Sequence, residues 1–271
     1  MEHVSVHGAH VPSLGLGTWQ LEGEQCRRVV ADAVELGYRH LDTAQAYGNE
    51  EQVGTGIRDA AVDRDQLWLT TKVWIHSLAP DDVRRTTEES LRRLGSDYVD
   101  LLLVHWPVAM DILDATLAAM TALRDEGKVR HVGVSNFTPS QFERAAGLAP
   151  VVCNQVEYHP FLAQDEVIAA ARKHDAMVTA YSPLARGNVA ADPVLTEIGQ
   201  AHGKTAVQVA LRWLVEQDGV SAVPKASSRA HLESNLGIFD FALSEAEHER
   251  IAGLARGERL IDPPFAPDWD A

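Results

Sequence analysis

Four residues of this chain have the types and positions needed for proton transfer at a polarised oxygen: Asp42, Tyr47, Lys72 and His105. Lys72 stands near the carboxyl end of the apolar run LWLTTKV (67 to 73), where burial of an ammonium is costly unless the group is paired or used. Asp42 ends the run YRHLD (38 to 42), Tyr47 follows it by five residues, and His105 ends VDLLLVH (99 to 105). With Asp42 as partner, Lys72 stays charged. A charged Lys72 is expected to favour the phenolate form of a tyrosine whose reference pKa is about 10, making Tyr47 a readier proton donor. His105 could donate the hydrogen bond that orients a carbonyl oxygen against the tyrosine hydroxyl. A positioned donor of this kind contributes roughly 10²- to 10⁴-fold in rate. Taken singly, Lys72 reads as a strand-end lysine reaching for solvent and His105 as a structural histidine. Their appearance at the ends of successive strands argues for a shared site.

Eight β-rich runs position these residues: LGLG (14 to 17), YRHLD, LWLTTKV, VDLLLVH, VRHVGVS (129 to 135), VVCNQV (151 to 156), MVTAYS (177 to 182) and VSAVPK (220 to 225). Between them lie segments such as EQCRRVVADAVELG and DDVRRTTEESLRRLG, with apolar residues at helical spacing and a terminal Gly that stops a helix. Eight alternating units in 271 residues predict an α/β fold, a (β/α)8 TIM barrel over residues 1–271 as one domain, with an N-terminal β-hairpin and an irregular C-terminal tail, DPPFAPDWDA. In such barrels chemistry sits where strands end, which gathers the four residues at one mouth. The competing doubly wound sheet would carry G-x-G-x-x-G after its first strand; GLGTWQ supplies two of the three glycines.

A formal charge of -15 excludes the basic face that nucleic acid or an anionic membrane would need. No run of eighteen apolar residues and no signal-peptide pattern occurs, which predicts a soluble, cytoplasmic protein. Cys26 and Cys153 have no framework or zinc spacing and read as buried small hydrophobes. The HLD triplet, His40 to Asp42, invites a metal reading, but no second ligand set appears at later strand ends and Lys72 would repel a cation, so no metal site is expected. His3, His7 and His10 are expected to be exposed on the hairpin, on the far side of the barrel.

Acid chemistry at a carbonyl lacks an electron source, and side chains supply no hydride, so a cofactor is implied. Ser135, Asn136 and Gln155, at the ends of the fifth and sixth strands, are neutral hydrogen-bonding groups suited to a carboxamide, and Tyr181 offers a face for stacking. Lys225 ends the eighth strand, and Ser227, Ser228 and Arg229 precede a helix whose N-terminal amides favour phosphate.

The stretches LDTAQAYGNE, TTKVW, LLLVHWP, VGVSNF, NQVEYHP, YSPLARG and VPKASS, in this order and spacing, resemble the aldo-keto reductase superfamily, and the short ending APDWD is similar to bacterial reductases of the 2,5-diketo-D-gluconate type. The resemblance implies a catalytic tetrad of Asp42, Tyr47, Lys72 and His105 with Tyr47 as general acid. It implies cofactor contacts at Thr18, Trp19, Ser135, Asn136, Gln155, Tyr181, the Ser182 to Leu184 turn, Lys225, Ser227, Ser228, Arg229 and Asn235. It implies a substrate pocket bounded by Trp19, Tyr47, Trp74, His105 and Trp106. Where NADPH-preferring members commonly have Ser and Arg beyond the last strand's lysine, this chain has Ala226 and His231. Arg229 is the expected substitute holder of a 2′-phosphate, solvent exposure being its plainer fate, so NADPH is expected as coenzyme and NADH is the alternative. The implied activity is reduction of small aldehydes and ketones (dicarbonyls, keto sugars, β-keto esters) by a monomer. A regulatory or sensor subunit that binds NADPH on the same barrel is the alternative. Trp269 either folds with the tail over the pocket or packs on the helices.

Overall fold

The computed structural model describes residues 2–269. Strands β1 (His3–Val6) and β2 (Ala9–Pro12) form the expected hairpin. His7 and Gly8, both at positive φ, make the two-residue turn whose twist suits antiparallel strands. Val4, Val6 and Val11 turn inward onto Trp68, Leu101, Leu103, Cys153 and Met177, which plugs the amino-terminal end of the barrel. His3, His7 and His10 are exposed on the hairpin.

Eight parallel strands follow in sequential spatial order: β3 (Leu16–Gly17), β4 (His40–Asp42), β5 (Trp68–Val73), β6 (Val99–Val104), β7 (Val129–Ser135), β8 (Val151–Glu157), β9 (Met177–Tyr181) and β10 (Val220–Ala222). Bridges Leu14↔Ala222 and Gly17↔Lys225, with Gly17 N–H donating to the Pro224 carbonyl at 3.0 Å, join the first strand to the last and make the sheet a (β/α)8 barrel. A Cβ on Gly17 would stand 2.6 Å from the Val223 carbonyl oxygen, so this seam requires glycine. Gly17→Ala is expected to destabilise the protein by about 1–3 kcal/mol, measured as a lowered urea midpoint at unchanged slope.

The strands are shorter than the apolar runs suggest. Tyr38 donates its backbone N–H to Ala33 and belongs to the end of the preceding helix, so the second barrel strand starts at His40. His105 and Lys225 lie just past their strands, although His105 N–H still reaches the Val73 carbonyl at 3.1 Å.

Helices α1 (Gly23–Glu35), α2 (Glu50–Asp59), α3 (Pro80–Leu94), α4 (Leu113–Asp125), α5 (Pro139–Leu148), α6 (Asp165–Lys173), α7 (Pro193–His202), α8 (Ala206–Val215), α9 (Arg229–Leu236) and α10 (Glu245–Ala252) cover the sheet. α1 buries Cys26, Val29, Val30, Ala33 and Val34, one face at helical spacing. α3 starts with Pro80, Asp81 and Asp82 and ends with Arg92, Arg93 and the left-handed Gly95, each placed as the helix dipole and capping rules favour. Reciprocal capping boxes start α5 (Thr138 with Gln141) and α8 (Thr205 with Gln208). Cys26 and Cys153 are buried, and burial pushes both thiols up to about 12, out of reach of thiolate chemistry. Among the described residues no helix is long and apolar enough to cross a membrane.

Candidate active site

At the carboxyl end of the barrel, Lys72 on β5 is 1% exposed, and its ammonium donates to Asp42 Oδ1 of β4 at 2.5 Å and to the Thr43 carbonyl at 2.9 Å. Its third neighbour is the Tyr47 hydroxyl at 3.3 Å. Three donors thus meet three acceptors, which makes burial of this ion tolerable. Asp42 spends its other oxygen on the Gln155 amide at 2.7 Å. Tyr47 reaches the ammonium because the 3₁₀ turn Gln45–Tyr47 ends in Gly48, whose left-handed conformation (φ 66°) turns the chain back into α2. Gln45 fixes this turn from the other side by accepting from Trp74 N–H at 3.0 Å.

The expected effect of Lys72 on Tyr47 is corrected by burial. Loss of solvation raises the Tyr47 phenol above its ordinary value, and the nearby ammonium only moderates the rise. Tyr47 therefore rests protonated. Burial also works against the Lys72 ammonium, but Asp42 and Tyr47 outweigh it and hold the lysine above its ordinary value. His105 is held well below its ordinary value, first by burial and then by Lys72, so it is neutral near pH 7. Its ring meets Tyr47 and Trp74 edge-on at 5.9 and 5.1 Å.

Tyr47 and His105 form the floor of a cavity of about 500 Å³. Trp19, Trp74 and Trp106 border it, and so do Thr18, Ser135, Asn136, Gln155, Tyr181, Ser182 and Lys225. Trp19 is 53% exposed and leans on the Tyr47 ring at 4.9 Å, which makes it a flap of the wall rather than core. Leu184, Ser227, Ser228, Arg229 and Asn235 do not border the cavity. They continue outward from it on the loops after β9 and β10 and along α9, where Ser228 caps the helix by accepting from His231 N–H at 3.3 Å.

Arg229 is exposed and bonds Asp32 at 3.0 Å and Glu35 at 3.1 Å on α1. Seven wall residues are absent from the sequence expectation: Gly17, Ala46, Arg186, Val223, Ile261, Pro263 and Phe265. Arg186 stands inside YSPLARG and Phe265 inside the tail, but only the fold puts them here. Phe265 closes edge-on over Trp74 and Trp106 at 5.8 and 5.4 Å. Trp269 packs behind Trp106 at 6.3 Å, so the tail lies over the pocket. His40 turns its ring to the Pro12 carbonyl at 3.1 Å, and among the described residues no group of three or more His, Cys, Asp or Glu converges as a metal site.

The inner walls fit a nicotinamide. The Tyr181 hydroxyl donates to the Asn136 amide oxygen at 2.7 Å, and Asn136 in turn donates to the His105 carbonyl at 3.0 Å, so the Tyr181 ring is a fixed flat wall. Asn136 holds this pose at a left-handed φ of 65°, a conformation asparagine tolerates better than most residues. Ser135 and Gln155 add neutral polar groups, and Asp42 is already neutralised by Lys72. Toward the mouth, Ser182, Ala185, Arg186 and Gly187 all have positive φ, which folds the loop tightly beside the cavity. Lys225 and Arg186 make this mouth locally cationic on an acidic chain, as an anionic cofactor requires.

Residues 13–256 match the aldo/keto reductase family. The chain is 38% identical over 266 residues to a methylglyoxal reductase, DkgB, of Escherichia coli O157:H7, covering 96% of this chain and 99% of the relative. It is 41% identical to an aldo-keto reductase of a Mycobacterium species (strain KMS), covering 95% and 94% of the two chains. Among solved structures, one proposed to be a 2,5-diketo-D-gluconic acid reductase B superposes with a TM-score of 0.98 at 46% identity, over 100% of this chain and 98% of that one. A Bombyx mori aldo-keto reductase in complex with NADP superposes at 0.90 with 32% identity, over 98% of each chain. The chain belongs to the aldo/keto reductase family and is an oxidoreductase that reduces carbonyl groups.

Proposed function

We propose that this protein is an NADPH-dependent reductase of small aldehydes and ketones, including dicarbonyls, keto sugars and β-keto esters, with Tyr47 as the general acid. The observation that carries this reading is the Tyr47 hydroxyl, 3.3 Å from a buried, Asp42-paired ammonium on the floor of an aromatic cavity. When bound, a reduced nicotinamide supplies hydride for the carbonyl carbon. Every other task falls to side chains. Neutral His105 donates from its ring to the carbonyl oxygen and aims it at Tyr47. Tyr47, protonated at rest, gives that oxygen its proton. The tyrosinate forming in the transition state stands beside the Lys72 charge, which stabilises it more than it stabilises the neutral phenol. The role of Lys72 is thus to stabilise the product of proton transfer, not to pre-ionise Tyr47. Names borne by relatives, a methylglyoxal reductase and a 2,5-diketo-D-gluconic acid reductase, favour polar dicarbonyl substrates.

For the coenzyme, Lys225, Ser227, Ser228 and Arg229 are the groups proposed to hold a 2′-phosphate. Arg229 would exchange its carboxylate partners Asp32 and Glu35 for that phosphate, a modest cost because exposed pairs are weak. Turnover of methylglyoxal with each coenzyme tests the reading: NADPH should give the higher kcat/KM, and a higher value with NADH would overturn the assignment. Arg229→Gln should raise the KM for NADPH about tenfold while leaving that for NADH nearly unchanged, as loss of a charge-assisted phosphate contact predicts.

A further inference from the structure

The motif NQVEYHP contributes Gln155 to the site, but its Glu157 and His159 take no part in the chemistry above. Glu157 ends β8 and is 0% exposed. Its carboxylate accepts from the backbone N–H of Leu260 at 2.9 Å and of Ile261 at 2.9 Å. His159 Nε2 lies 3.1 Å from it on the same loop. A buried carboxylate in this position is stabilised by donors, and two of these donors belong to the chain's tail. The same loop holds the tail a second time: the Phe161 carbonyl accepts from Arg256 N–H at 3.1 Å and Glu258 N–H at 3.0 Å. Immediately beyond these four backbone anchors, Ile261, Pro263 and Phe265 enter the cavity wall, and Phe265 closes over Trp74 and Trp106.

We infer that Glu157 is a positioning residue for substrate: through the N–H groups of Leu260 and Ile261 it fixes the strap that carries Phe265, and so sets which carbonyl compounds the cavity accepts. Because the bonds are to backbone, the strap's path is held whatever side chains the tail carries, and its pocket-facing residues are free to vary. This inference rests on the cavity being the reductase site. Its test therefore includes a readout independent of activity.

Three variants separate the possibilities. Glu157→Ala removes the acceptor, Glu157→Gln keeps one neutral oxygen, and Ile261→Pro removes one tail donor while leaving the buried carboxylate in place. Amide hydrogen exchange at Leu260 and, where its N–H is retained, Ile261 should accelerate strongly in Glu157→Ala and less in Glu157→Gln. In kinetics, the KM for a nitrobenzaldehyde, which would pack against Phe265, should rise about tenfold in Glu157→Ala and Ile261→Pro, the scale of one or two lost aromatic contacts. In Glu157→Ala the kcat for methylglyoxal and the Kd for NADPH should stay within about twofold, and Glu157→Gln should lie between wild type and Glu157→Ala. If Glu157→Ala fails to fold, Ile261→Pro still decides the matter. Unchanged tail exchange, or an equal loss for both substrates together with weakened NADPH binding, would overturn the inference. A wild-type protein that reduces no carbonyl but shows the exchange pattern would count against the reductase reading and leave the strap anchor standing.

Discussion

Tyr47→Phe should lower the kcat for carbonyl reduction by about 10²- to 10⁴-fold while the Kd for NADPH stays within about twofold. The change deletes one oxygen, leaving the ring that packs on Trp19 and His105 in place. It also deprives Lys72 of one acceptor, but Asp42 Oδ1 and the Thr43 carbonyl remain, so the fold should tolerate it. Steady-state assays with a dicarbonyl, paired with a fluorescence titration of NADPH, read both quantities. Turnover like that of wild type would remove Tyr47 from its role. A parallel collapse of NADPH binding would mean that the hydroxyl acts in the cofactor site.

Lys72→Met should damage both stability and catalysis. It leaves the Asp42 carboxylate buried with the Gln155 amide as its side-chain partner, and breaking a buried ion pair from one side costs about 3–5 kcal/mol. Urea unfolding at neutral pH measures this loss. The pH dependence has a definite sign. The folded state holds the Lys72 proton above the ordinary value of 10.5, so it binds that proton more tightly than the unfolded chain does. The stabilisation is fully present below that ordinary value and is lost as pH rises through the folded value. On the alkaline side, the stability gap between wild type and Lys72→Met should therefore hold above neutral pH and narrow in strong alkali. The kcat of the variant should fall by a factor comparable to that of Tyr47→Phe, because the forming tyrosinate loses its counter-charge.

How much of this was legible in the sequence differs from residue to residue. The eight strand runs and the junctions carrying Asp42, Lys72 and His105 could be read directly, since parallel strands buried on both faces appear as short apolar runs. Their limits could not, because Tyr38 is claimed by a backbone bond to Ala33 at the end of α1 that no local pattern announces. The partnership of Lys72 with Asp42 followed from both standing at adjacent strand ends. The resting state of Tyr47 did not follow, because it depends on how much water the folded mouth excludes, and burial outweighs the ammonium there. Phe265 was hidden for another reason: its place is set by Glu157, about a hundred residues away in sequence from the N–H groups it holds. Arg229 was visible as a cation near the last strand, whereas its pairing with Asp32 and Glu35 on α1 emerges only when β3 and β10 meet and bring α1 and α9 together.

The central claim is that one cavity brings a hydride donor and the Tyr47 proton to the same carbonyl. Mixing wild-type protein saturated with NADPH against methylglyoxal, a nitrobenzaldehyde and a β-keto ester, while following nicotinamide absorbance and quantifying alcohol, tests it most directly. Loss of the reduced nicotinamide should be matched one for one by alcohol with at least one of these compounds. Tight NADPH binding with no coenzyme consumed by any of the three would contradict it.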